Sequence, residues 1–198
     1  MMTKSTRLLL AAAALALTLV YAFPLWHIAL QAPQYPEGLG LYIAVNQVTG
    51  EKPQDLNSIN NLNHYIGMKV ITPADIPELR FMPWLLAGLI AVGVLAAAAG
   101  RRWMLYGFAT LFVLGSVAGL YDFWRWGYDY GHNLDPHAII KIPGMTYQPP
   151  LIGSKQLLNF NATSLPATGG WILIVAVTLA VLLSVREFRL ARRAPAPA

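Results

Sequence analysis

The stretch FMPWLLAGLIAVGVLAAAAGRRWMLYGFATLFVLGSVAGLYDFWRW, residues 81–126, decides the fold. It holds two apolar runs, Phe81 to Gly100 and Trp103 to about Trp126, parted only by Arg101 and Arg102. Runs of roughly 20 apolar residues are long enough to cross a bilayer as helices. Two such helices with so short a turn make an antiparallel hairpin, and the paired arginines favour the cytoplasmic side for that turn. Gly107, Gly115 and Gly119 fall near one face of the second run, where small residues let a neighbouring helix approach closely.

Two further spans flank this hairpin. The first follows Lys4 and Arg7 and runs from about Leu8 to Leu30. It is too long for a signal-peptide core and has no small-x-small cleavage site, so an uncleaved anchor is expected. Pro24 is expected to kink it, with Trp26 and His27 at the far boundary. The last span covers about residues 170–186, beginning near Trp171, and the Ala-Pro-rich end over 190–198 reads as a disordered tail. Composition agrees with a membrane protein: 56% of residues are hydrophobic and 12% charged, against roughly 25% charged in a soluble domain.

Charge then sets topology. Lys4, Arg7, Arg101, Arg102, Arg186, Arg189, Arg192 and Arg193 border the spans on one side with Glu187 as the lone acid; the remaining six of fourteen basic residues share the other side with the remaining eight acids. With both termini cytoplasmic, this distribution obeys the positive-inside rule and explains the net charge of +5 without nucleic acid. All six tryptophans (26, 84, 103, 124, 126 and 171) fall near span ends, as an aromatic belt requires. The expectation is an all-α membrane protein of a bacterial inner membrane, a single domain of four transmembrane helices. Its extracytoplasmic cap is formed by two long loops, residues 31–80 and 127–169.

Both loops are rich in residues that do chemistry. In the first, APQYPEGLG reads as extended and turn-rich, and LYIAV as a short strand or interfacial segment. Asp55 is expected to cap a short helix with Leu56, Ile59, Leu62 and Ile66 at helical spacing; Gly67 stops it, leaving His64 in the last turn and Met68 just beyond. Ahead of the second loop, Asp122, Arg125 and Asp129 share a helix face and suggest an ion-pair ladder. In the loop, His132 and His137 bracket Asp135-Pro136, and Met145 lies between Pro143 and Pro149. Asp135 is expected to cap a turn that opens with Pro136, and NFNATSLPATGG reads as loop.

All four histidines and three of the six methionines (Met68, Met82 and Met145) thus fall on the outer side. Each histidine alone reads as a loop residue. Together they supply imidazole and thioether in a chain without cysteine, the ligand set that suits copper outside the cytoplasm. His64, Met68, His132, His137 and Met145 are the candidate copper ligands. No phosphate-binding glycine loop, HExxH or nucleophile elbow is present. No spacing recommends Ser58 or Ser154 for a catalytic triad, and an enzyme is not expected.

The strings APQYPEGL (32–39), INNLNHYIGM (59–68) and IPGMTYQPPLIGSKQLLNF (142–160) carry a resemblance. The chain resembles a poorly characterised group of bacterial four-span membrane proteins associated with nitrous oxide reductase and copper-maturation gene neighbourhoods. The likeness covers both loops and the spacing of the spans, and it implies copper handling outside the cytoplasm without assigning any ligand. Two readings follow. One is copper binding or transfer to a periplasmic or membrane cuproprotein or copper chaperone. The other is a non-catalytic assembly or scaffold subunit with no metal, embedded in the lipid bilayer.

Overall fold

The computed structural model describes residues 1–157 and 159–193. Four helices are long and apolar enough to cross a membrane, but the chain is not all-α: the two loops between them build a five-stranded antiparallel sheet. Helix α1 (Lys4–Ala16) tightens into a 3-10 turn over Leu17–Tyr21 and then stops. Strands β1 (Trp26–Ala32), β2 (Tyr35–Ile43) and β3 (Val48–Gly50) follow, then helix α2 (Asp55–Ile66) and the long helices α3 (Glu78–Ala99) and α4 (Arg102–His132). Strands β4 (Gly153–Leu157) and β5 (Phe160–Pro166) lead into α5 (Thr168–Arg193).

The expected first span, Leu8 to Leu30, is therefore half helix and half strand. Pro24 lacks an N–H and disfavours helix at Phe23, and beyond it the side chains alternate with period two. Trp26, Ile28 and Leu30 face the cap's core, while His27 lies on the opposite face and stacks on Tyr42 at 4.5 Å. NFNATSLP likewise forms β5 rather than loop. The sheet order is β3-β2-β1-β5-β4, so the strands of the second loop dock on the edge that β1 leaves free. Ile28 pairs with Leu41 on one side and Ser164 on the other. Ala162, opposite Leu30, and Ser164, opposite Ile28, are fully buried, and Trp26 Nε1 donates to Ser164 Oγ at 2.7 Å.

The four long helices close a ring in which α1 contacts α3 and α5, and α4 contacts α3 and α5. Leu10, Leu17, Leu105, Phe108 and Leu183 fill its centre, and Gly93 lets Ala14 and Phe108 come close. The glycine face of α4 takes no part in this packing: a Cβ at Gly107, Gly115 or Gly119 would meet open space.

Both described ends of the chain meet at one end of the ring. Glu187, fully buried, accepts from the Thr3 N–H at 2.8 Å and pairs with Arg102 Nε at 3.0 Å. Arg7 donates to the carbonyls of Ala97 and Ala98, where Gly100 at φ +65 ends α3. The sheet occupies the opposite end. Gly169 and Gly170 pass so close to the 23–25 backbone that a Cβ would come within 2.5 Å of the Phe23 carbonyl and 2.2 Å of the Leu25 carbonyl. α5 runs past the expected end of its span, so residues 190–193 are helical rather than tail; residues 194–198 lie outside the described residues.

Candidate functional site

The two loops touch, and they do so at the tip of α4. α2 ends at Gly67, whose φ of +78 favours glycine, with the Met68 N–H returning to the Asn63 carbonyl at 2.8 Å. Asp55 is the first residue of that helix rather than its cap: buried, its Oδ2 accepts from the N–H groups of Gly40 and Lys52 and fixes the helix to β2. The Gly67 carbonyl then accepts from the Asp135 N–H at 2.8 Å, and the Tyr65 carbonyl from the Ile140 N–H at 2.9 Å. Residues 135–140 therefore lie along the end of α2.

The segment after this crosses back over α4. The Tyr147 N–H donates to the Gly131 carbonyl at 2.9 Å, and a Cβ at Gly131 would stand 2.3 Å from the Gln148 backbone nitrogen. The ladder expected from Asp122, Arg125 and Asp129 is replaced by a longer-range pair. Asp129 bonds Lys69 at 2.5 Å and also accepts from Asn133, tying the first loop to α4.

The five candidate ligands are placed differently from one another. His64 is exposed on the last turn of α2. His137 is 90% exposed; its N–H donates to Asp135 Oδ1 at 2.8 Å and its Nδ1 stands 3.3 Å from the same oxygen. Pro136 opens a turn here, as its position after Asp135 suggests. The hydrogen bond from the His137 N–H holds the Asp135 carboxyl below the usual carboxylate range, with His64 adding to the effect. His137 and Asp135 are in direct contact, and His64 lies farther off on the same surface.

His132 ends α4 with its ring stacked on Tyr128 at 3.9 Å and its Nδ1 3.0 Å from the Tyr128 carbonyl. Met68 lines the apolar interior of the cap, and Met145 is half-buried in a turn closed by its N–H on the Ile142 carbonyl. Met82 packs against the helix ring. His27 sits apart, paired with Glu51 at 3.0 Å. Among the described residues, no group of three or more His, Asp or Glu side chains is placed to hold a metal ion. The donors that do meet there are one imidazole and one carboxylate, His137 and Asp135, without a thioether.

Sequence reasoning missed the apolar side of this surface. Tyr65, Ile139, Ile140 and Ile142 are all exposed, Ile139 by 67%, and Tyr65 and Ile140 are joined through their backbones. The signal was present as IIKI in an otherwise polar loop, but without a period it indicates no element. No family model matches the chain, and no curated protein matches it significantly.

Proposed function

We propose that this chain is a four-span protein of a bacterial inner membrane whose rigid cap stands on the extracytoplasmic side and acts as an assembly or scaffold subunit. The observation that carries this reading is the exposed Tyr65, Ile139, Ile140 and Ile142 surface at the tip of α4. Helix α4 has 31 residues, about 46 Å at 1.5 Å per residue, against a hydrocarbon core of about 30 Å. Its last turns therefore stand clear of lipid, and so does the surface they support. An apolar surface held in water by fixed backbone hydrogen bonds suits a protein partner. The helix ring supports the membrane placement: Trp84, Leu85, Leu114, Val117 and Val175 point outward with nothing covering them.

The test is co-purification from native membranes in mild detergent. A stable protein partner is expected with the native chain and is expected to be lost in Ile139→Glu/Ile142→Glu, while amide protection of the sheet stays unchanged. A chain that purifies alone, or a partner retained by the double variant, contradicts the proposal.

Copper binding or transfer to a periplasmic or membrane cuproprotein is the second reading, favoured by the His137–Asp135 contact on the surface that also carries His64, where the loops meet. Imidazole with carboxylate suits Cu(II) better than Cu(I), which prefers thioether or thiolate. Metal analysis of the purified protein and of His64→Ala/His137→Ala decides it. Absence of copper at any loading ratio ends this reading.

A further inference from the structure

The cap encloses a cavity of about 80 Å³ between the sheet, α2 and the outer turns of α4. Its walls are aliphatic and aromatic, with Ile28, Leu41, Ile59, Ile66, Met68 and Phe160 among them, and no charged side chain lines it. Two polar atoms in this wall are poorly satisfied: among the described residues the buried Tyr147 hydroxyl has no hydrogen-bond partner, and Trp126 Nε1 has only a weak contact with the Tyr130 hydroxyl. Tyr147 is only 4% exposed. Leaving a buried polar group without a full partner is unfavourable, and two such atoms lining one cavity call for an occupant. The neighbouring polar groups are engaged elsewhere: Asn63 Nδ2 donates to the Lys69 carbonyl, and the Tyr130 hydroxyl lies 3.4 Å from the Val70 carbonyl.

Gly127 adds a second, independent observation. It is buried on α4 and lines the cavity, yet a Cβ built on it would meet nothing within 4 Å. Gly131, one turn on, is a glycine because Gln148 crosses it; Gly127 has no such crossing chain, and its missing side chain enlarges the cavity.

We infer that this cavity is a binding site for an uncharged molecule with an apolar body and one hydrogen-bond-accepting oxygen, of the ketone or ester-carbonyl class, held by Tyr147 and Trp126. Indole is a donor only, so the ligand must bring the acceptor. The uncharged lining excludes an ion, whose desolvation nothing here offsets. The volume is about half that of an apolar cavity that takes benzene, so a larger molecule enters by its tip. Neither the docking surface nor the histidines contribute to this site.

The experiment uses the full chain in lipid nanodiscs with 15N-labelled indoles, titrated separately with 2-hexanone and hexane. The Trp126 resonance is assigned by its loss in Trp126→Phe. Saturable movement of the Trp126 N–H with the ketone, and no movement with the alkane, is expected. Tyr147→Phe is expected to bind the ketone about tenfold more weakly, the equivalent of one hydrogen bond. Gly127→Leu fills the space and is expected to abolish the response while the sheet amides stay protected. A Trp126 signal indifferent to the ketone, or equally sensitive to the alkane, overturns the inference and leaves the cavity to bridging water. So does a Gly127→Leu protein that is folded and still responds. Organic extraction of the purified protein, followed by mass spectrometry, separates a retained membrane lipid from a freely exchanging small molecule.

Discussion

The Asp135 N–H donates to the Gly67 carbonyl at 2.8 Å, and Ala138 fills the place where a side chain on Gly67 would go, its Cβ 2.8 Å from that position. This one contact joins loops that lie on either side of the α3–α4 hairpin. Gly67→Ala is disfavoured twice, by φ +78 and by the Asp135 carbonyl 3.0 Å from the new Cβ. It should cost about 1–3 kcal/mol locally. Hydrogen exchange is expected to speed up at the Asp135 and Ile140 amides while the β1 amides stay protected.

Asp135 also gives the contact a pH dependence. Its carboxyl is held below the usual range because it accepts the His137 N–H. A carboxyl pKa lowered on folding stabilises the turn at pH values above the unfolded value, about 3.9. That contribution is lost as pH falls through the lower folded value. The His137 amide should therefore be protected near neutrality and exchange with less protection on acidification below about pH 4. In Asp135→Asn, which keeps an acceptor oxygen but does not titrate, this acid step should disappear.

Gly131→Ala drives a methyl group into the Gln148 backbone, 2.3 Å from its nitrogen. Backbone cannot swing aside as a side chain can, so the crossing segment must lift. A loss of ~2 kcal/mol or more is expected. The Tyr147 amide, bonded to the Gly131 carbonyl, should lose protection first. An unchanged Tyr147 amide would mean that the crossing is looser than its geometry.

At the other end of the molecule, Glu187→Ala removes the acceptor shared by Thr3 and Arg102. Breaking a buried pair costs about 3–5 kcal/mol. Arg102 is 30% exposed and regains some water, so a loss of about 2–3 kcal/mol is expected here. Thermal unfolding in detergent measures it, and Glu187→Gln, whose single amide oxygen can accept from Thr3 or from Arg102 but not from both, should recover part of the loss.

The α3–α4 hairpin and α5 were legible because an apolar run of that length bounded by arginines reads as one helix, whereas the first run hid a strand behind its helix. The sheet was not, for reasons that differ by strand. β1 alternates, but Ala29 on its outer face and Leu25 just before it are also apolar, so WHIAL continues the preceding run without a break in hydrophobicity. β5 alternates with Ala162 and Ser164 inward, fully buried opposite Leu30 and Ile28. A strand whose buried face is Ala and Ser carries no hydrophobic period. Gly67 as the stop of α2 was readable from its position. The placing of His64 and His137 on one surface was not, since it depends on residues 135–140 lying along the end of α2. The same docking leaves Met68 facing the cap's interior, which no spacing rule conveys.

The account stands on the sheet and the chain termini lying on opposite sides of a membrane. Because the chain has no cysteine, single thiols report this without background. Ser154→Cys on β4 and Ser5→Cys on α1 are both exposed positions. Treated in intact cells with a membrane-impermeant maleimide of a size that passes the outer membrane, Ser154→Cys should label fully and Ser5→Cys only after the inner membrane is permeabilised. Labelling of Ser5→Cys alone in intact cells, or of both, would contradict it.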